Sequence, residues 1–147
     1  MINRLRPIEI LMVEDNDGDV FLTRRAFEKA KIRNNIVIAQ DGEKALSLLR
    51  NEDGAEDFIL PDIILLDINL PGKDGKQVLA ELKQDENLKR IPIVILTSSQ
   101  ADQDIIKSYE LHANGYIVKP VSPEKFNEVV LAIEEFWFSV VVLPSDI

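Results

Sequence analysis

The sequence predicts an α/β domain in which a parallel sheet is covered by helices on both faces. Two observations carry that expectation. Apolar strand-like runs alternate with helix-period segments about five times, a pattern that implies right-handed strand–helix–strand crossovers. Ile63, Ile64, Leu65 and Leu66 are also consecutive and apolar, too short a run for a helix and suited to a central strand buried on both sides. A chain of 147 residues is long enough for one domain with a substantial core.

Residues 8–13 read as the first strand and end in Glu14 and Asp15. Residues 17–31 form a helix with Val20, Phe21, Ala26, Phe27 and Ala30 at helical spacing, and Asp17 is a candidate cap. A short strand at 35–39 precedes Asp41 and Gly42, which lead into a helix at 43–50 carrying Ala45, Leu46, Leu48 and Leu49. Residues 51–60 read as a polar loop closed by Pro61, before the strand that ends in Asp67. Then come a helix at 75–85 with Val78, Leu79 and Leu82 on one face, a buried strand at 91–96, and a helix at 102–112. The last elements are a strand at 116–118 and a long helix from Ser122, whose Phe126, Val129, Val130, Ile133 and Trp137 can face the sheet.

Composition excludes several classes. A net charge of −9 and a pI near 4.6 argue against direct nucleic-acid binding, which demands clustered Lys and Arg. The absence of cysteine removes disulfides, thiolate metal sites and thiol catalysis. No signal-peptide core and no run of about 18 apolar residues is present, so a soluble cytoplasmic protein without a membrane partner is expected.

Parallel strands share a direction, so the groups at their ends project from one edge: Glu14 and Asp15, Asp67, Thr97 with Ser98 and Ser99, and Lys119 before Pro120. Clustered carboxylates repel one another unless a cation joins them, and an oxygen-rich site suits a hard ion such as Mg2+. A metal with an ammonium beside it is what a tetrahedral dianion needs, so the constellation reads as a place where Asp67 can carry a phosphoryl group. An EF-hand reading of Asp15, Asp17 and Asp19 fails, because Val20 stands where the loop needs Gly and Ala26 where it needs Glu. His112, the sole histidine, reads as a cation near a helix C-terminus.

The segments VEDN, LLDINLPGKDG, ILTSS and YIVKP, in this order and at strand ends, resemble those of response-regulator receiver domains of the chemotaxis type. The resemblance implies a flavodoxin-like, doubly wound five-stranded parallel sheet of order 2-1-3-4-5. It implies Asp67 as phosphoacceptor, and Mg2+ held by Glu14, Asp15, Asp67 and the backbone carbonyl of Asn69. Thr97 and Lys119 would contact the phosphoryl oxygens, Thr97 and Tyr116 would form a switch, and the Lys119–Pro120 bond would be cis. Read from the residues alone, Tyr116 is equally a plain core aromatic. The implied donor is the phosphohistidine of a sensor kinase, with the receiver a phosphoacceptor that assists its own phosphorylation and dephosphorylation rather than an enzyme acting on other substrates. A haloacid-dehalogenase-type phosphatase would need a second Asp where Asn69 stands, and an FMN protein would not place Glu14, Asp15, Asp17 and Asp19 beside a phosphate. A dimeric adaptor that is never phosphorylated remains the alternative.

The ending IEEFWFSVVVLPSD, with RIPIVILTSS and SYELHANGYIVKP, is similar to response regulators paired with cyanobacterial phytochrome kinases. That similarity implies a red/far-red light-sensing donor, a receiver spanning 1–138, and a C-terminal extension at 139–147 that supports a homodimer. Leu131, Phe136, Phe138, Val140, Val142 and Leu143 are the candidate interface residues, with a tail folded back on its own domain as the other reading of 140–143. No output domain is expected, so the signal would leave through a partner, a further phosphotransfer or the dimer itself.

Overall fold

The computed structural model describes residues 7–30, 33–70, 72–98, 113 and 115–128. The described elements are β1 (Ile8–Val13), α1 (Asp17–Ala30), β2 (Asn34–Ala39), α2 (Gly42–Leu49), β3 (Ile63–Asp67), α3 (Gly75–Gln84), β4 (Ile93–Thr97) and β5 (Gly115–Val118), with residues 123–128 also helical. All four strand pairings are parallel and the order is β2-β1-β3-β4-β5, as expected.

Strand alternation sorts the core into two clusters. Leu11, Val13, Ile64, Leu66, Ile93 and Ile95 face α2 and α3. Ile10, Met12, Ile63, Leu65, Val94, Leu96 and Ile117 face Phe27 of α1 and Phe126. The Phe27 and Phe126 rings, both fully buried, meet with centroids 3.8 Å apart at 44°, joining α1 to the segment that follows β5. β3 and β4 are buried at every position, which is why they lack any polar alternation.

Local structure departs from the sequence reading in identifiable places. Phe21 is 58% exposed and Thr23 is buried instead, because at about 100° per residue Phe21 falls on the side of α1 away from Ala26 and Phe27. Phe21 lies under Arg25, whose guanidinium carbon is 5.8 Å from the ring centroid. Asp17 does not cap α1. The Oδ1 of Asn16 accepts the Asp19 N–H at 2.9 Å and takes that role. β4 starts at Ile93 rather than at Ile91, since Pro92 has no N–H to enter a ladder and the Ile91 N–H bonds the Leu88 carbonyl at 3.1 Å. Of the apolar residues of α2, Ala45, Leu46 and Leu49 are buried and Leu48 is 43% exposed. The predicted helix at 102–112 and the positions Val129, Val130, Ile133 and Trp137 lie outside the described residues.

Two helix starts fix the loops that bear on the site. Asp74 and Gln77 close a capping box at α3, each side chain bonded to the other's backbone N–H. One residue later Gly75 is pressed against the chain just after β3: a Cβ there would stand 2.7 Å from the Ile68 Cα and would also strike the Asp67 carbonyl oxygen. Gly75→Ala is therefore expected to cost about 1–3 kcal/mol in urea unfolding, the range of an overpacked core, because backbone rather than a flexible side chain must yield.

Candidate functional site

Sheet register brings the functional groups together at the carboxyl edge. Val13 pairs with Leu66, so Glu14 follows β1 at the level of Asp67. Asp67 pairs with Leu96, which sets Thr97 one residue further out, and Thr97 pairs with Val118, which sets Lys119 one further again. At about 3.3 Å per residue Lys119 starts some 6–7 Å beyond Asp67 along the strand direction, a gap that only a long side chain can reach back across. Glu14, Asp67 and Lys119 also continue the alternate positions of Met12, Leu65 and Ile117, the row that faces α1.

Lys119 is the hub. Its Nζ lies 2.7 Å from Glu14 Oε1, 2.9 Å from Asp19 Oδ2 and 3.1 Å from Asp67 Oδ2. Hydrogen bonds run to Asp19 and Asp67. Glu14 Oε1 is at ion-pair distance but off the angle for a hydrogen bond, and it is a fully buried oxygen left without a hydrogen-bond partner. Glu14 Oε2 accepts from the Asn16 N–H at 3.3 Å, and Asp67 Oδ1 accepts from the Asn69 N–H at 2.9 Å. Thr97 is fully buried beside this edge, and its carbonyl accepts the Lys119 N–H at 2.7 Å. The Lys119–Pro120 peptide is cis.

Burial and the neighbouring Asp67 raise the pKa of Glu14 to about 7, against the opposing pull of Lys119. Burial alone would lower the pKa of Lys119, but Glu14, Asp19 and Asp67 together outweigh it and hold the ammonium protonated. Carboxylate oxygens of Glu14, Asp15 and Asp67 lie within 4.8 Å of one another, and Asp15 is exposed to solvent. Converging oxygens, one of them buried and short of a partner, fit a hard divalent cation that retains water on its open side. The arrangement offers a carboxylate at Asp67 with an ammonium on one flank and a cation site on the other.

The structure thus brings together Glu14, Asp15, Asp67 and Lys119, with Thr97 adjacent. Asn69 contributes its N–H to Asp67, and Tyr116 pairs with Ile95 in the β4–β5 ladder while its side chain lies outside the described residues. Leu131, Phe136, Phe138, Val140, Val142 and Leu143 lie outside them as well. Asp19 is the group that sequence reasoning missed. It figures there as a failed calcium ligand and a charge repelling phosphate, whereas in the fold it holds Lys119. The available signal was its place in the first turn of α1, four residues beyond Asp15.

A fold and an edge of this kind define a receiver, and the chain belongs to that family: residues 10–131 match the response regulator receiver domain. Proteins of the family serve two-component signalling and are generally not enzymes. Among its relatives, response regulator Rcp1 of Synechocystis sp. is 42% identical over 95% of this chain and 95% of its own length. The probable methanogenesis regulatory protein FilR2 of Methanothrix harundinacea is 41% identical over 89% of this chain and 84% of its own. The phosphorylated cyanobacterial phytochrome response regulator RcpA superposes with a TM-score of 0.74 at 43% identity, covering 94% of this chain and 99% of that one. The Mn2+-bound form of Rcp1 superposes with a TM-score of 0.71 at the same identity and coverage.

Because the folded pKa of Glu14 lies above the ordinary glutamate value of 4.5, its contribution to stability is fully present below pH 4.5 and is lost as pH rises through about 7. In the metal-free protein, Glu14→Gln is expected to remove that loss. Its stability relative to wild type should improve by on the order of 2–3 kcal/mol between pH 5 and pH 8, measured by urea unfolding in chelator.

Proposed function

We propose that this protein is a response regulator that takes a phosphoryl group onto Asp67 from the phosphohistidine of a sensor kinase, in a Mg2+-dependent reaction. The observation that carries this reading is the seating of Lys119 Nζ 3.1 Å from Asp67 Oδ2 beside the Glu14, Asp15 and Asp67 cluster. An Asp67 oxygen forms the new P–O bond as the P–N bond of the donor breaks, and the electron pair stays with the departing imidazole, which takes up a proton. Bound Mg2+, held by Glu14, Asp15, Asp67 and the Asn69 carbonyl, would supply charge neutralisation for the transferring oxygens. Lys119 pairs with a phosphoryl oxygen, and the Thr97 hydroxyl, at the same edge, donates to another. Water later attacks phosphorus and the Asp67 carboxylate leaves, resetting the signal. The receiver lowers the barrier by position and charge, without acting on any other substrate.

Movement of Thr97 toward the phosphoryl group, with Tyr116 following, is the proposed switch. The donor proposed is a cyanobacterial-type phytochrome kinase. Likeness to RcpA supports it, and the nearly equal identity to FilR2 makes direct phosphotransfer the necessary test. The receiver unit is placed at 1–138 and a dimerising extension at 139–147, with Leu131, Phe136, Phe138, Val140, Val142 and Leu143 at the interface of a homodimer. A cytoplasmic location without nucleic-acid contact accords with a charge of −9 and with the absence, among the described residues, of any helix able to cross a membrane.

Asp67→Asn should abolish labelling by a phosphorylated kinase or by acetyl phosphate, and chelation should do the same to wild type; labelling at the normal rate in either case removes Asp67 or the metal from the reaction. Since Glu14 must lose its proton to bind a cation, Mg2+ affinity should climb from pH 6 to pH 8, steepest below about 7. Sedimentation of the full chain beside one ending at Glu135 should give a dimer and a monomer, whereas equal masses exclude the extension from assembly.

A further inference from the structure

The resting ammonium of Lys119 is hemmed in by acids, hydrogen-bonded to Asp19 and Asp67 with Glu14 at ion-pair distance. It has three hydrogens, and three carboxylates, Glu14, Asp19 and Asp67, stand within 3.1 Å of it. If Mg2+ draws Glu14 and Asp67 to itself, Asp19 becomes the carboxylate left competing for the ammonium that the phosphoryl group needs. Asp19 is well held for that contest. Its N–H is fixed by Asn16 Oδ1 at 2.9 Å, its carbonyl accepts from Thr23 Oγ1 at 2.8 Å, and its side chain is 28% exposed against 15% for Lys119. An anion in the first turn of a helix also interacts favourably with the helix dipole.

We propose that Asp19 is a positioning residue that tethers the Lys119 ammonium in the resting receiver, so that phosphoryl occupancy of Asp67 requires Lys119 to exchange Asp19 for a phosphoryl oxygen. The exchange moves hydrogen bonds only, with no proton transferred. Because the Lys119–Asp19 contact must be given up, the tether opposes occupancy and sets a threshold for it. This inference rests on Asp67 being the phosphoacceptor.

The test is the affinity of the full-length protein for beryllofluoride, a phosphoryl mimic, at saturating Mg2+, in wild type, Asp19→Asn, Asp19→Ala, Lys119→Met and the Asp19→Asn/Lys119→Met pair. Asp19→Asn should bind about fivefold or more tightly than wild type, Asp19→Ala at least as tightly as Asp19→Asn, and the gain should vanish when Lys119 is also replaced. The side-chain ammonium NMR signal of Lys119 should shift in metal-free Asp19→Asn, a change that a remote loss of stability would not produce. Unchanged or weaker binding by both Asp19 variants, or a gain that persists without Lys119, overturns the tether while leaving the phosphoacceptor reading intact. Failure of wild type to bind beryllofluoride with Mg2+ overturns both.

Discussion

Charge burial at the carboxyl edge of the sheet is the constraint around which the rest of the structure is arranged. Glu14 and Asp67 are buried at the point where apolar strand rows run out, and two carboxylates in so little water are unfavourable unless a cation accompanies them. Lys119 supplies that cation from two strands beyond Asp67, and the acids around it outweigh the lowering effect of burial and hold the charge in place. The site is therefore balanced rather than neutral. Its acids outnumber its one ammonium, and the surplus is what makes a divalent ion welcome and an unaccompanied phosphate dianion unwelcome.

Packing beneath the edge supports this balance. The Phe27–Phe126 contact holds α1 against the segment leaving β5, so the two pieces of backbone carrying Asp19 and Lys119 are joined below by an aromatic pair and above by an ion pair. On the other side of Asp67, Gly75 lets α3 begin in contact with the chain that leaves β3. Surface pairs such as Arg50 with Asp85, which link the C-terminal ends of α2 and α3 and are partly exposed, contribute little by comparison.

Much of this was legible in the residues, for reasons that differ by element. β3 and β4 announce themselves because burial on both faces leaves unbroken apolar runs, and the site follows because parallel strands must present their ends together. Phe21 misleads because apolar character alone does not say which side of a helix a residue occupies. Asn16 and Asp17 are both good caps, and only backbone geometry chooses between them. Asp19 was hidden for a deeper reason: its place in the first turn of α1 sets it near the site, but its partner is 100 residues away and is met only through the packing of α1 on the sheet.

The stepped register of β3, β4 and β5 has a consequence for how such a site is inherited. Because Asp67, Thr97 and Lys119 are offset from one another by single pairing steps, the backbone ladder works as a gauge, and a slip of one residue in β4 would turn Thr97 toward the opposite face. The spacing of the chemistry is thus stored in the sheet and owes little to the connecting loops. Loops and outer helix faces are free to diverge toward new partners without retuning the reaction, and anyone transplanting this chemistry into another protein should carry over the paired strands first.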